Sequence, residues 1–197
     1  VGLCSGTTVI VAQYYGAQEY ENLSKAVHTS VALSIVAGAG MMVLSLLIAP
    51  TALRWMGTPE EIMNGSLTYM CIYLLATIPS FFYNVGAGVL RAVGDTRHPL
   101  YFLIISCLTN IILDLLFVVV FHWEIMGVAL ATLMSQVVSA VLILIALMQR
   151  GQIYQLFPKK IRFTANILRH IIRVGLPAGL QADMYSISNI ILQSCIN

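Results

Sequence analysis

A lone carboxylate inside an apolar segment is the side chain in this sequence best suited to chemistry. Asp114 lies in the stretch TNIILDLLFV, where its neighbours on both sides are isoleucine, leucine and phenylalanine. Ser106 and Asn110 precede it at intervals of four residues, so a helix places the three polar side chains on one face. We expect this face to turn toward protein or a cavity rather than toward lipid.

The chemistry of such an acid depends on its surroundings. An acid at the centre of a bilayer costs about 2.5 to 3.5 kcal/mol, so a carboxylate inside a membrane helix indicates a function. Burial disfavours its charged form, and we therefore expect Asp114 to take up and release a proton. The amide of Asn110 suits both states, because it can donate to a carboxylate or accept from the protonated acid. In the alternative interpretation, Asp114 only hydrogen-bonds a neighbouring helix, a contact worth about 0.6 kcal/mol.

Other apolar segments also contain polar side chains: one set on the next segment and a second single acid. Thr132, Gln136 and Ser139 follow one another at helical spacing on the next apolar segment, and two polar faces on consecutive helices can enclose one site. Asp183 is a second acid in an apolar stretch, six residues after Pro177. We treat it as a possible second acidic site.

Metal and enzyme chemistry are not indicated. The cysteines lie singly in apolar stretches, without the close pairs of a zinc or redox motif. The histidines form no pair at helical spacing, so the clustered groups that an intramembrane enzyme needs are missing. We predict no enzyme activity, no metal and no cofactor, and the net charge of +2 indicates no nucleic-acid partner. The cysteines are Cys4, Cys71, Cys107 and Cys195, and the histidines are His28, His98, His122 and His170.

The composition shows which elements must position these residues. Only 9% of the residues are charged, 59% are hydrophobic, and the mean hydropathy is +0.88, unlike a soluble domain. Five stretches are long enough for a helix to cross a bilayer, and each contains at most one acid. Residues 1–15 are too short to cross and are interpreted as a truncated sixth span. Because hydrocarbon leaves backbone groups without partners, we predict an all-α, polytopic transmembrane helix bundle. The five stretches are 26–53, 62–90, 98–122, 125–149 and 174–197.

The basic residues indicate how the chain is oriented. Nine of the ten lysines and arginines lie in the connectors 16–25, 91–98 and 150–173, and only Arg54 lies elsewhere. An excess of basic residues marks the cytoplasmic side, so we place these connectors there, in a multi-pass protein of the inner (plasma) membrane. Within the longest connector, Ile167 and Ile171 share one helical face and Arg169 and Arg173 another, which suits a helix lying on the membrane surface. A connector that only sets the topology is the simpler alternative.

Several stretches together resemble one family. AQYYGAQEYENLSKAVHTSVALS and GVLRAVGDTRHPL are similar to the connectors after the second and fourth helices of multidrug and toxic compound extrusion (MATE) transporters. NIILDLLFV followed by GVALATLMSQ resembles their fifth and sixth helices, and RHIIRVGLPAGLQ resembles the approach to the seventh. The resemblance covers essentially the whole chain.

This resemblance implies an architecture and a site. The full protein would have twelve helices in two six-helix lobes, and this chain would cover helices two to seven. Residues 1–148 would form most of the first lobe without its first helix, 149–173 the cytoplasmic connector, and 174–197 the first helix of the second lobe. In prokaryotic members, the positions that match Asn110, Asp114 and Thr132 belong to a cation site. That site also uses an acid on the first helix, which this chain lacks.

The resemblance also implies a function. Such a protein exports cationic or amphiphilic small molecules across the lipid bilayer by alternating access, in exchange for H⁺ or Na⁺. One rival is a flippase for lipid-linked oligosaccharides from the same superfamily, whose cavity would be expected to carry Arg and Lys for phosphates. None of the predicted spans contains either residue. Another rival is a structural or sensory membrane protein that transports nothing.

Overall fold

The computed structural model of the chain describes residues 2–55, 57, 59–149, 151, 153–157 and 163–196. These residues form helices and connectors without strands, which confirms the predicted all-α class. A π-helical segment, Leu116–Val120, follows α5 directly. The helices are α1 (Gly2–Gly16), α2 (Tyr20–Trp55), α3 (Glu60–Leu75), α4 (Thr77–Ala92), α5 (Arg97–Leu115), α6 (Glu124–Met148) and α7 (Ala165–Ile196).

Four of the five predicted spans correspond to helices long and apolar enough to cross a bilayer. Within the described residues these are Tyr20–Trp55, Ile62–Ala92, Arg97–Val120 and Ile125–Met148. The fifth predicted span lies in α7, where many side chains of the last two turns and that of Asp183 fall outside the described residues. The predicted truncated span corresponds to α1, which has 15 residues.

A proline explains why the span from Ile62 to Ala92 is divided into two helices. Pro79 has no N–H to donate to Leu75 four residues earlier, and its ring conflicts with that carbonyl. Accordingly α3 ends at Leu75, and Ala76 donates its N–H to Tyr73 O at 3.1 Å in a tighter turn. The break between the helices, at Ala76, lies three residues before the proline. α7, in contrast, continues through Pro177.

The chain divides into two compact units, each with its own packing. The first comprises Val1–Ala32, Asn84–Asp95 and Leu147–Asn197, and the second comprises Leu33–Tyr83 and Thr96–Ala146. The lobe and connector boundaries expected at 148 and 173 stay a prediction.

The first unit contains a direct backbone contact between α1 and α7. A Cβ atom added to Gly6 would lie 2.6 Å from the carbonyl oxygen of Ile171 and 2.7 Å from Cα of Gly175. Gly2, one turn earlier in α1, makes the same kind of contact with Gly179, one turn later in α7. Glycines spaced four apart on both helices therefore permit an approach that any side chain would prevent.

The same unit anchors the connector between α6 and α7 to the start of α2. His28 is 4% exposed, and its Nε2 accepts a hydrogen bond from Phe157 N–H at 3.0 Å. Its Nδ1 lies 2.7 Å from Ser24 O, so it donates there in the neutral ring. Thr164 N–H donates to Thr29 Oγ1 at 3.3 Å. Two successive residues of α2 thus hold positions 157 and 164 of the connector.

The helix expected to lie on the membrane surface is not a separate element. Its residues form the first turns of α7, which begins at Ala165 and runs on without interruption. Ile167 and Ile171 are buried, at 4% and 0% exposure, because that face packs within the first unit. The predicted helical face is therefore correct, but it packs on protein.

Candidate functional site

The predicted site residues Asn110, Asp114 and Thr132 all lie in the second compact unit, on α5 and α6. A buried hydrogen bond joins the two helices, since Ser106 Oγ donates to Ser135 O at 2.7 Å. Ser106 therefore faces α6, and Asn110 and Asp114 follow it at intervals of four on the same side of α5. The predicted polar face of α5 is thus directed toward protein at its buried end.

A second close approach joins the π-helical segment after α5 to the first turn of α6. A Cβ atom on Gly127 would lie 2.8 Å from Cβ of Phe117, so the missing side chain of this glycine permits the close approach. The rings of Phe117 and Trp123 stack with centroids 5.3 Å apart. Trp123 N–H also donates to Phe117 O at 2.9 Å. A ring stack and a backbone hydrogen bond therefore hold the short connection between the helices.

Asp114 occupies an unusual position within this pair of helices. Its Oδ1 atom is enclosed by protein and has no hydrogen-bond partner among the described residues. The expected hydrogen bond from Asn110 to this oxygen is accordingly not formed. A buried polar atom without a partner is unfavourable by about 1 to 3 kcal/mol, and more if it is charged. This oxygen is therefore suited to bind a proton or a cation.

The backbone immediately after Asp114 departs from the α-helix. Phe121 N–H donates to Leu116 O at 3.1 Å, five residues back, which is the π-helical pattern. Such segments are rare and occur frequently at functional sites. The sequence carries no signal for it that we recognise, because the run LFVVV is equally compatible with an ordinary helix.

Thr132 lines a cavity of about 160 Å³ in the same unit. Its hydroxyl donates to Val128 O at 3.0 Å, so the oxygen retains an accepting lone pair. Asp114 and Asn110 are not among the lining residues, so the structure places one of the three predicted residues in the cavity. The polar lining is Tyr73, Thr77, Ser80, Thr132 and Gln136, with Ala76 and Phe81 completing it.

The residues contributed by α3 and α4 are functional candidates that the sequence analysis missed. They surround the break at Ala76, where two polar residues, Thr77 and Ser80, flank the proline. Polar side chains next to a proline within an apolar span are a signal that could have identified them. Gln136 was grouped with Thr132 from its spacing, and the cavity does contain both.

The other predicted candidates are only partly placed. Asp183 lies within α7, and its side chain is outside the described residues, so the second acidic site stays a prediction. Within the described part of the chain, no group of three His, Cys, Asp or Glu residues could hold a metal ion.

Comparisons with known proteins agree on one family. The MatE family model matches residues 1–116. The chain is 30% identical over 205 residues to the probable multidrug resistance protein YoeA of Bacillus subtilis (strain 168), covering 100% of this chain and 44% of that protein. It is 22% identical over 191 residues to the multidrug export protein MepA of Staphylococcus saprophyticus, covering 97% and 42% respectively.

A solved structure is similar to this chain over nearly its whole length. The crystal structure of MATE in the bent conformation matches with a TM-score of 0.89 and 29% identity, over 98% of this chain and 43% of that one. The chain therefore spans less than half the length of the proteins that it matches.

Proposed function

Because the chain belongs to the MatE family, we propose that the full-length protein is a secondary transporter exporting cationic or amphiphilic compounds in exchange for H⁺ or Na⁺. Members of this family are transporters rather than enzymes. The chain is part of a multi-pass membrane protein, and the predicted inner-membrane location agrees with the family and with four apolar helices. Apart from the coupling ion, the proposed mechanism needs no cofactor.

The observation that carries the ion-coupling proposal is the enclosed Oδ1 of Asp114 without a hydrogen-bond partner among the described residues. A proton or a Na⁺ ion would supply the partner that this oxygen lacks, so its arrangement favours the occupied form. A conformation that opens the site to water would favour release. The ion can drive the conformational change only through this difference in affinity between the two states.

We propose that Thr132 connects the ion site with the path of the exported compound. It lies on α6, which a buried hydrogen bond joins to the helix of Asp114, and it also lines the cavity. The cavity volume of about 160 Å³ is below the roughly 300 to 1,000 Å³ of sites for drug-sized ligands. We therefore propose that the cavity receives one part of a substrate, and that residues beyond this chain complete the site.

The chemistry of the cavity favours drug export over the flippase alternative. The described residues that line it are hydroxyl, amide, aromatic and small side chains, with no lysine or arginine among them. Binding a sugar-linked phosphate would require such cations, whereas hydroxyl and aromatic groups suit an amphiphilic or cationic compound. The π-helical segment after Asp114 would give α5 a place to change its backbone conformation when the acid changes its charge.

The experiment that tests this proposal compares the full-length protein with its Asp114→Asn variant at equal membrane levels. Efflux of a fluorescent cationic dye is measured in everted vesicles under separately imposed H⁺ and Na⁺ gradients. We expect the wild type to respond to one gradient and the variant to lose that response, because an amide cannot exchange a proton or balance a cation.

Two further variants make the result specific. Asp95→Asn removes an acid from the connector between α4 and α5 and should leave gradient-driven efflux unchanged. Asp183→Asn tests the second acid within α7. If Asp114→Asn retains full gradient-driven efflux, Asp114 is not the coupling residue, and a wild type that exports no dye under either gradient would contradict the proposed function itself.

A further inference from the structure

The first turns of α7 present a basic and apolar face that the proposed transport mechanism does not use. The opposite face is fixed by packing, because Ile167 and Ile171 are buried and Gly175 meets Gly6 of α1. This packing sets the rotation of the helix about its axis. Leu168 and Ile172 each follow one of the buried isoleucines, so they lie where the outward face of α7 begins, away from the packed side.

On that outward side, an open depression of about 580 Å³ is lined, among the residues that the structure describes, by α7. Its lining is Ala165, Leu168, Arg169, Ile172 and Arg173. Arg169 and Arg173 are exposed and lie four residues apart, so their guanidinium groups can reach the same ligand. Neither arginine forms an ion pair with an acid in the described ranges of the chain.

Apolar side chains accompany these two cations. Ile172 is 41% exposed and Leu176, one turn further along the helix, is 60% exposed. Three consecutive turns thus combine a pair of guanidinium groups with a hydrocarbon surface that continues into the predicted span 174–197. A ligand that fits this combination must carry both an anionic group and a hydrocarbon chain.

We propose that this face binds an anionic phospholipid, with the head-group phosphate between Arg169 and Arg173 and an acyl chain along Leu168, Ile172 and Leu176. Arginine binds phosphate through paired N–H groups, a geometry that lysine does not offer. The face belongs to the basic connector placed on the cytoplasmic side, where anionic lipids attract basic segments. A free anion would not use the exposed apolar side chains. The proposal does not depend on which compound the protein exports.

The test uses the full-length protein, purified in a neutral detergent and titrated with phosphatidylglycerol or phosphatidylcholine, with bound lipid counted by native mass spectrometry. We compare the wild type with the double variant Arg169→Gln and Arg173→Gln. The expected result is a preference for phosphatidylglycerol in the wild type and roughly 25-fold weaker binding in the variant, about fivefold for each basic residue.

A matched control removes the same charge elsewhere. Arg54 and Arg97 are also exposed, at the end of α2 and the start of α5, so the double variant Arg54→Gln and Arg97→Gln should bind phosphatidylglycerol as the wild type does. Arg169→Lys with Arg173→Lys keeps the charge but loses the paired N–H groups, and intermediate binding is expected. All variants must show the thermal unfolding temperature of the wild type, so that folding does not explain a loss.

Three outcomes would overturn the proposal. Equal phosphatidylglycerol binding by the wild type and the Arg169/Arg173 glutamine variant would mean that the face is covered by another part of the full-length protein or binds no lipid. An equal loss in the Arg54/Arg97 control would mean a general effect of net charge. Displacement of the lipid by excess inorganic phosphate, with no contribution from Leu168→Ser or Ile172→Ser, would indicate a simple anion site.

Discussion

The crossing of α1 with α7 and the pairing of α5 with α6 use close helix contact for different ends. At the first, glycines bring two backbones into contact and His28 satisfies a connector N–H nearby in the same unit. At the second, contact at Gly127 and Ser106 holds the helices, yet Asp114 retains an enclosed oxygen without a partner among the described residues. The two regions therefore differ in whether the enclosed polar groups of the helix contact have partners.

The distinction concerns charge more than the mere presence of an unpaired atom. The first unit also contains two enclosed hydroxyl oxygens, Thr7 Oγ1 and Ser30 Oγ, without partners in the part of the chain that is described. A neutral hydroxyl left unpaired is tolerated far better than an ionisable carboxyl group in an apolar setting. We therefore expect changes in the α1–α7 region to alter stability most, and changes at Asp114 to alter transport.

The largest stability effect is expected for Gly6→Ala. The added methyl group would lie 2.6 Å from the carbonyl oxygen of Ile171, so α1 and α7 would have to separate. Overpacking of this kind costs about 1 to 3 kcal/mol. Thermal unfolding of the full-length protein in detergent should show a clearly lower Tm.

The control for this variant is Gly40→Ala in α2. No atom lies within 4 Å of a Cβ built there, and the change brings the same gain of about 1 kcal/mol in helix propensity. Its Tm should equal or slightly exceed that of the wild type. If the two alanine variants unfold at the same temperature, the backbone contact between α1 and α7 does not stabilise the protein.

A smaller and more local effect is expected for His28→Ala. The change leaves the N–H of Phe157 and the carbonyl of Ser24 without the ring nitrogens, at a cost of about 1 to 3 kcal/mol. Part of that cost is recovered if water reaches the connector. Amide hydrogen exchange should become faster at Phe157 and in the neighbouring residues of the connector.

His170 provides the comparison for this histidine. It is exposed, and its Nδ1 bonds to Asn166 O in the same helix and to no other residue that the structure describes, so His170→Ala should change stability by less than about 0.5 kcal/mol. His28→Gln keeps an acceptor near the position of Nε2 and should restore part of the protection. Equal exchange at Phe157 in all three variants would show that the connector is held by other contacts.

How much of this could be predicted from the sequence differs between the two regions. Runs without charge located the apolar helices well, and the predicted span 125–149 differs from α6 by one residue at each end. They could not give the true ends of α2, because this helix extends into charged residues, with Glu21 in its first turn and Arg54 in its last. The spacing of Ser106, Asn110 and Asp114 correctly indicated a face directed toward protein at Ser106.

The contacts that the sequence did not reveal are those between residues far apart in the chain. His28 and Phe157 are separated by 129 positions, and neither position carries a pattern that names the other. The cavity beside Thr132 likewise requires the break at Ala76, whose place depends on how the helix accommodates Pro79. Local spacing predicts faces, whereas the pairing of faces depends on packing of the whole unit.

The smallest stability effect is expected at the residue with the largest expected effect on transport. Asp114→Asn keeps the shape of the side chain and removes an acid whose Oδ1 has no partner among the described residues, so little stabilising interaction is lost. The Tm should stay within the equivalent of about 0.5 kcal/mol of the wild type, or rise. A fall as large as that of His28→Ala would instead show that Asp114 hydrogen-bonds a neighbouring helix in the full protein. In that case the carboxyl group serves packing, as the two histidine nitrogens do, and the ion-coupling residue must be sought elsewhere.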